Sequence, residues 1–542
     1  MSREAAPTEP GVSLRGLARS SAYVNAAQLW QMASRLVLTP IVIARLGLDG
    51  YGAWTLVYSV CANAIALDSG AAWAYAKLTA ELDEDGDWSR LSEVIGAGLL
   101  LVGSTVAVGL AAVWLARGWI LPVLGVPPQL LRETEQTLCI LSLAVAFKAC
   151  LGAALPVLAG LQRMDLQYRF IICGSVVEFA TALSLVLAGR GMTALPLGIL
   201  AGEVVSIGAA WRACRRLRPA LRLSPLHAGL QGVKQIVSVG LRFQGVVLMG
   251  TVARQAIRVA LSGLYGTAAL GIFNLAERLL SVAGGPALAI VSPLMPAFAK
   301  LGSGSHAWRW RQLFWRASKV AAVAAAVPLL FAAVFADPIL FAWTGQRFPA
   351  AVWAARALAP VEFLAVLTGV AGARLRAAGT VRLEVIAGLA GSVLALAGML
   401  VAYPVAGLAG SVVAVACGRC AGSAWLLARF ASFGRLDGRR YLRTTVLAPV
   451  LRLAPLCALF AAAAFALTLL GSPDAGRWSV LGRLALLAAA YTLACTPVAW
   501  FLALSARDRA TVVRLRRRAR GAAHGPLPQA MPHDPAPQRP AR

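Results

Sequence analysis

The sequence predicts an all-α polytopic membrane protein with about fourteen transmembrane helices. Of the 542 residues, 59% are hydrophobic and 14% are charged, whereas soluble proteins carry about 25% charged residues. The mean hydropathy is +0.71. Apolar stretches long enough to cross a hydrocarbon core of about 30 Å recur along the whole chain. This composition excludes a soluble globular enzyme and a disordered chain.

Fourteen apolar windows account for the predicted spans, because each holds roughly the 20 residues that one membrane helix needs. They cover residues 20–44, 52–76, 94–116, 135–159, 170–189, 192–211, 235–262, 268–296, 318–336, 352–373, 383–402, 405–428, 447–471 and 480–504.

The net charge of +28 would suggest a nucleic-acid partner in a soluble chain. Here the basic residues fall in alternate loops, which is the pattern of cytoplasmic loops in membrane proteins. We therefore expect no nucleic-acid partner. We expect a multi-pass protein of the bacterial inner membrane with both termini in the cytoplasm. The dense basic patches lie within 212–222, 309–316, 435–443 and 514–520.

The spans and the basic patches together divide the chain into segments. We predict that the last segment is disordered because it is basic and then rich in proline. The segments are a cytoplasmic tail over 1–19, a first six-helix bundle over 20–211, a basic linker over 212–234, a second six-helix bundle over 235–428, a basic loop over 429–446, two extra helices over 447–504 and a cytoplasmic tail over 505–542.

An internal repeat relates the two predicted bundles. Gly47 and Gly52 lie where the first span joins the second, and Gly266 and Gly271 lie where the seventh joins the eighth. Each pair is offset by 219 positions. Six spans separate the copies, so both enter the membrane in the same direction. Parallel repeats of this kind are found in transporters that bind their substrate between the two halves.

The residues around the first turn resemble the opening of a known family. Pro40 lies in the first span, the turn reads Leu-Gly-x-x-x-Tyr-Gly over 46–52, and Asp68 precedes Gly70 in the second span. This pattern resembles the polysaccharide flippases, which carry lipid-linked oligosaccharides of the O-antigen and exopolysaccharide type. They belong to the multidrug/oligosaccharidyl-lipid/polysaccharide exporter superfamily.

The segment over 263–279 is similar to the start of the second bundle in that family. The resemblance implies two six-helix bundles around a central cavity, followed by two extra C-terminal helices. It also implies translocation of lipid-linked saccharides, with membrane glycosyltransferases or a polymerase as partners. One feature departs from the family: an acid often found in the seventh span is absent, and Arg254 and Arg258 occupy that region.

Charged residues inside the spans are the candidates for substrate binding, because an arginine or lysine at mid-membrane usually faces a cavity or a partner. In the first span, spacings of three and four residues put one polar stripe on a single face. The stripe consists of Gln28, Gln31, Arg35 and Thr39. Arg254 and Arg258 share a face of the seventh span, which occupies the equivalent position in the repeat.

We expect both stripes to face the central cavity, with Arg278 of the eighth span joining them. Guanidinium groups bind phosphate oxygens bidentately, so a pyrophosphate-linked glycan suits such a site. The proposed cationic set is Arg35, Arg254, Arg258, Arg278 and Lys148.

Structural alternatives stay open for these residues. Arg35 would pair with Asp68, Arg278 with Glu277 or another acid, and Lys148 with Glu178. The three acids Asp68, Glu178 and Glu277 would serve either in ion pairs or in energy coupling. Five further basic residues are expected to lie near helix ends or in outer spans and to reach toward the interface. They are Arg242, Lys319, Arg419, Arg452 and Arg483.

The predicted function is a flippase for polyprenyl-pyrophosphate-linked oligosaccharide that works by alternating access, with membrane lipids as its surroundings. A multidrug-type cation antiporter of the same superfamily is the alternative, although such a pump needs acids where Arg35 stands. A membrane glycosyl-polymer enzyme is a third possibility. The four histidines lie in loops or the tail, so we assign no catalytic residue, metal ligand or cofactor.

Overall fold

The computed structural model describes residues 14–222, 224–291, 293–301, 307–469 and 476–503. Within these ranges the chain forms α-helices joined by short turns, without a strand. The helices are α1 (Leu14–Asp85), α2 (Trp88–Leu115), α3 (Arg117–Val123), α4 (Leu131–Leu151), α5 (Ala154–Gly160), α6 (Met164–Leu187), α7 (Ala194–Leu217), α8 (Leu230–Tyr265), α9 (Thr267–Val291), α10 (Leu294–Leu301), α11 (Ala307–Val334), α12 (Ala336–Thr344), α13 (Pro349–Ala377), α14 (Arg382–Phe433), α15 (Gly438–Tyr441), α16 (Ala448–Leu469) and α17 (Arg477–Ala503).

Two helices are too long to cross a membrane once. With 72 residues in α1 and 52 in α14, a rise of about 1.5 Å per residue would give lengths of about 108 and 78 Å. Each is broken at a glycine with non-helical backbone, Gly47 at φ 71° and Gly407 at φ 58°. Gly266, which ends α8, has φ 82° and ψ 172°. A positive φ with ψ near 180° is open essentially to glycine alone, so the repeated turn keeps glycine for a physical reason.

Ten helices in the described ranges are long and apolar enough to cross a membrane. The chain is therefore a multi-pass membrane protein. The predicted number of fourteen spans stays a prediction, since the kinked Arg382–Phe433 helix counts once among the ten although the break at Gly407 divides it.

The glycine turns meet at one end of the molecule, which we call the turn end. A Cβ added at Gly52 would overlap the backbone carbonyl of Thr267. The hydroxyl of Thr267 donates a hydrogen bond of 3.0 Å to Asp49 Oδ1. Tyr265, just before Gly266, shares a hydrogen bond of 2.7 Å with Ser411, just after Gly407. The turns of both bundles therefore pack directly on one another.

The opposite end, which we call the basic end, joins helix termini through ion pairs. Arg218 at the end of α7 lies 3.0 Å from Asp83 at the end of α1. Arg376 at the end of α13 lies 3.1 Å from Glu384 at the start of α14. Because each span runs from one end to the other, the mid-membrane residues lie between these two layers.

Two apolar cores stabilise the bundles. Leu91, Leu141 and Leu158 lie in the core formed by α2, α4 and α5, and Phe273 and Phe314 lie in the core formed by α9 and α11. The helices α16 and α17 are attached to the second core, because the Tyr491 ring lies 5.3 Å from that of Phe331 in α11. The candidate site lies where α1 contacts α8 and α9.

Candidate functional site

The polar stripe of α1 runs toward the second bundle. Gln28 and Arg35 are exposed, Gln31 is half-buried and Thr39 is buried. The Thr39 hydroxyl donates a hydrogen bond of 2.7 Å to the carbonyl of Arg35, as threonines inside helices often do. That bond fixes the hydroxyl as an acceptor for a group outside α1.

Arg278 of α9 supplies that group. Its Nη1 lies 2.7 Å from Thr39 Oγ1 and 3.5 Å from the Arg35 carbonyl. The charges of Arg35 and Arg258 also act on it. In the described structure Arg278 makes no ion pair with Glu277, which was the structural alternative. Arg278 therefore contacts the α1 stripe at Thr39 and lies within electrostatic reach of Arg258 in α8.

Glu277 joins two arginines of different helices. Its Oε2 accepts a hydrogen bond of 2.7 Å from Arg258 of α8, and its Oε1 accepts one of 2.8 Å from Arg419 of α14. The side chains of all three are 17–25% exposed. Mid-span charges in such surroundings are costly unless they are paired, so this carboxylate stabilises both cations.

Arg254 lies one helical turn before Arg258 and is exposed. No hydrogen bond or ion pair to Arg254 occurs in the described part of the chain. The charges of Arg419 and Arg258 repel it, and the charge of Glu277 attracts it. Its guanidinium folds back along α8, with Nη1 3.6 Å from the position of a Cβ on Gly250. Arg254 is thus a cation available to an anionic ligand.

Lys148 forms an ion pair with an acid other than the one that the structural alternative named. Lys148 Nζ lies 2.9 Å from Glu203 Oε1 of α7, whereas that alternative paired it with Glu178 of α6. The helices α6 and α7 pack closely through Gly174 and Gly202, which brings Glu203 beside α4. Glu178 interacts electrostatically with the charges of Arg35, Glu203 and Lys148.

The charged groups lie at a common depth. Arg35 and Arg254 each precede a turn glycine, Gly47 or Gly266, by twelve residues, or about 18 Å along a helix. Arg419 follows Gly407 by twelve residues. A hydrocarbon core is about 30 Å thick, so these groups lie near its middle. Arg35 and Arg254 are also 219 positions apart, which makes them equivalent residues of the two repeats.

Formal charge is distributed unequally between the bundles. In the first bundle, Arg35 and Lys148 are balanced by Glu178 and Glu203. Among the described side chains at this depth of the second bundle there are four arginines and two glutamates, which leaves a formal charge of +2. These residues are Arg254, Arg258, Arg278, Arg419, Glu277 and Glu362. The excess positive charge of the site therefore lies in the second bundle.

A cavity of about 420 Å³ adjoins this charge. It lies among α8, α13 and α14 and is lined by Arg254 and Arg419 at mid-membrane depth and by Arg376 and Glu384 at the basic end. Thr368 and Ser423 add hydroxyl groups to its wall. A polar route therefore leads from the basic end to the arginines.

Two members of the site, Arg419 and Glu203, were not predicted from the sequence. For a third predicted residue, Asp68, the structure gives no test. Arg419 was expected to reach toward the interface, but it bonds Glu277 in the interior. Its distance of twelve residues from Gly407 was the signal that could have shown its depth. Glu203 was not chosen as the partner of Lys148. The side chain of Asp68 lies outside the described residues, so its predicted pair with Arg35 stays a prediction.

Paired helical bundles with charged side chains at mid-membrane depth define the class of multi-pass helical membrane proteins. The sequence profile of the family described as "Polysaccharide biosynthesis protein" matches residues 17–302, which is more than half of the chain. The chain belongs to this family. No curated protein sequence matches the chain.

Solved structures of several membrane transporters and of a lipid flippase share the fold. A multidrug resistance MATE family transporter in an inward-facing conformation has a TM-score of 0.66 and 16% identity, and the match covers 78% of this chain and 99% of that one. The lipid II flippase MurJ, in an inward closed conformation, has a TM-score of 0.64 and 11% identity over 88% of this chain and 98% of that one. The Vibrio cholerae MATE transporter VcmN has a TM-score of 0.57 and 14% identity, and the match covers 78% of this chain and 97% of that one.

Proposed function

We propose that the protein translocates a polyprenyl-pyrophosphate-linked oligosaccharide across the bacterial inner membrane, for the synthesis of a cell-surface polysaccharide. The observation that supports this most directly is the formal charge of +2 at mid-membrane depth in the second bundle. Unbalanced cations at such depth usually mark a substrate pathway. A pyrophosphate supplies negative charge of the right size, and the family makes a glycan carrier its natural source.

Arg254 is the first contact for the pyrophosphate in this proposal. It is exposed, it lines the polar cavity, and it has no acidic partner to displace among the described residues. Its planar guanidinium can hold two phosphate oxygens at once. Arg35, its counterpart in the first repeat, is also exposed and would approach the ligand from α1.

Glu277 acts as an internal counter-ion that the substrate replaces in part. Without substrate it holds Arg258 and Arg419 through hydrogen bonds of 2.7 and 2.8 Å. A pyrophosphate beside Arg254 would attract the same two guanidinium groups. Competition of this kind keeps the site from binding its anion too tightly, which a transporter needs in order to release its substrate.

The direction of transport follows from the distribution of charge. We assign the basic end to the cytoplasm, with both chain termini on that side, because cytoplasmic loops carry the excess of arginine and lysine. The turn end is closed by the backbone contact between Gly52 and Thr267. The glycan and pyrophosphate would enter from the basic end while the polyprenyl chain stays in the lipid, and separation of the turns would then release them outside.

The alternative of a multidrug-type cation antiporter draws on the structural likeness to MATE transporters. A cationic substrate would meet Arg254, Arg258 and Arg278 at the centre of the molecule, and like charges at close range repel strongly where water is scarce. The acids of the first bundle, Glu178 and Glu203, lie beside Arg35 and Lys148, so they offer little net negative charge. The anionic substrate is therefore the better match.

Ligand-dependent thermal stabilisation of the purified protein tests this proposal, because a ligand that binds only the folded state raises its apparent stability. A polyprenyl-pyrophosphate saccharide is compared with a lipophilic cation, for the wild type and for Arg254→Ala. Arg483→Ala is the matched control, since Arg483 is an exposed arginine of the outer helix α17. We expect the pyrophosphate lipid to stabilise the wild type and the control but not Arg254→Ala. Stabilisation by the cation alone would favour the antiporter.

A further inference from the structure

A second basic cluster lies at the basic end of the second bundle, apart from the mid-membrane arginines. Trp310 and Arg311 lie in the first turns of α11, and Arg374 lies in the last turn of α13. We call these three residues the tryptophan–arginine cluster. We propose that it binds the phosphate of an anionic phospholipid headgroup.

The indole of Trp310 is a fixed platform. Its ring lies 6.2 Å from the ring of Phe430 in α14, at an interplanar angle of 73°. Its Cη2 atom lies 3.0 Å from the position that a Cβ on Gly434 would take. Trp310 is thus held where the ends of α11, α13 and α14 meet.

Two arginines lie against this indole. The Cζ of Arg374 lies 5.0 Å from the ring centroid, and the Cζ of Arg311 lies 5.7 Å from it. The two guanidinium groups are therefore no more than about 11 Å apart, which is the sum of those distances. Such cation–π contacts orient a guanidinium. They supply no hydrogen-bond acceptor to its N–H groups, which lie in the plane of the guanidinium itself.

The donors of both arginines lack acceptors in the described part of the chain. The Nε atoms of Arg311 and Arg374 are buried and have no hydrogen-bond partner there. Neither side chain forms an ion pair with a described acid, whereas the nearby Arg376 pairs with Glu384 at 3.1 Å. A buried donor without an acceptor costs free energy. Because both Nε atoms are enclosed while both side chains are only half-buried, an anion from outside the chain would be held by the terminal Nη donors of the two guanidinium groups.

The position of the cluster identifies the chemistry of that anion. Tryptophan and arginine at helix ends are typical of the membrane interface, and Trp308, two residues before Trp310, is 60% exposed. Phosphate is the group that paired guanidinium forks hold best. At an interface the phosphate in highest concentration belongs to phospholipids, and anionic headgroups are attracted to basic residues there.

Lipid binding by the purified protein tests the inference. Native mass spectrometry and thermal stabilisation are measured with phosphatidylglycerol, with phosphatidylcholine and with inorganic phosphate. The double variant Arg311→Gln/Arg374→Gln is compared with Arg309→Gln, which removes an exposed arginine that contacts only Trp308 in the described structure, at 5.6 Å. We expect phosphatidylglycerol to bind and stabilise the wild type and Arg309→Gln, and we expect its occupancy to fall at least about threefold in the double variant.

Equal phosphatidylglycerol occupancy in the double variant and in Arg309→Gln would overturn the proposal. Stabilisation of the wild type by inorganic phosphate as strong as that by phosphatidylglycerol would assign the cluster to free phosphate and overturn the lipid assignment. If the double variant does not fold, Arg311→Lys/Arg374→Lys replaces it. Lysine keeps the charge but loses the bidentate fork, so an unchanged lipid occupancy there would equally overturn the proposal.

Discussion

Arg278 of α9 donates a hydrogen bond of 2.7 Å to the hydroxyl of Thr39 in α1. This bond joins the two repeats at mid-membrane depth, between the same two helices whose turns meet at Gly52 and Thr267. Arg35 and Arg258 both act electrostatically on Arg278. A ligand that binds any of these arginines therefore acts on the contact between the bundles, which is where alternating access must separate them.

Removing the charge of Glu277 should loosen the resting site and tighten substrate binding. In Glu277→Gln, Arg258 and Arg419 lose their shared counter-ion, so we expect a loss of about 1–3 kcal/mol in stability. The freed guanidinium groups should raise affinity for a pyrophosphate lipid and slow its release. Thermal unfolding without the lipid measures the loss of stability, and the shift on adding the lipid measures the change in affinity.

Asp337→Asn is the control for that variant, because Asp337 pairs with Arg347 at 2.9 Å in an exposed position. Exposed pairs contribute about 0–1 kcal/mol, so little change is expected. If Glu277→Gln were as stable as the wild type and bound the lipid with the same affinity, Glu277 would not be the internal counter-ion.

Substitution of Gly52 should prevent closure of the turn end. A Cβ in Gly52→Ala would overlap the Thr267 backbone, and backbone cannot move aside as a flexible side chain can. We expect loss of translocation and a lower melting temperature. Gly284→Ala in α9 is the matched control, since nothing lies within 4 Å of its Cβ position. Full transport by Gly52→Ala would show that the turns need not close.

Lys148 should be dispensable for substrate binding because Glu203 already neutralises it at 2.9 Å. Lys148→Met is expected to lose stability but to keep the response to a pyrophosphate lipid. In a double-mutant cycle with Glu203→Gln, the two losses should add to more than the loss in the double variant. Additive losses would mean that the pair contributes nothing, and loss of lipid binding in Lys148→Met would return this lysine to the substrate site.

The sequence predicts the fold class and the repeat well, because both depend on local patterns. Apolar length sets the spans, and the backbone at Gly47 and Gly266 requires glycine at the same point of each repeat. The stripes of α1 and α8 follow from helical spacing alone. The ion-pair partner of a charged residue is not predicted in this way. Whether Glu277 pairs with Arg278 or with Arg419 depends on how separate helices pack, and helix periodicity does not carry that information.

Arg419 and Glu203, whose partners were not predicted from the sequence, show the same limit of helix periodicity. Arg419 lies in the part of α14 that follows the break at Gly407, and only the packing of that part against α9 brings it to Glu277. Glu203 reaches Lys148 because glycines let α6 and α7 approach closely. Mid-span charge could be recognised in the sequence, but its pairing could not.

Translocation in proteoliposomes tests the central claim most directly. A labelled polyprenyl-pyrophosphate oligosaccharide is placed in the membrane, and the appearance of its glycan on the opposite side is followed for the wild type, Arg254→Ala and Arg483→Ala. Loss of a charge-assisted contact of about 1.5–3 kcal/mol corresponds to a fall of about tenfold or more in affinity for the pyrophosphate. We expect translocation by the wild type and by Arg483→Ala, with little by Arg254→Ala. Equal rates for all three proteins, or transport of a lipophilic cation in place of the glycan lipid, would contradict an anion pathway through the arginines.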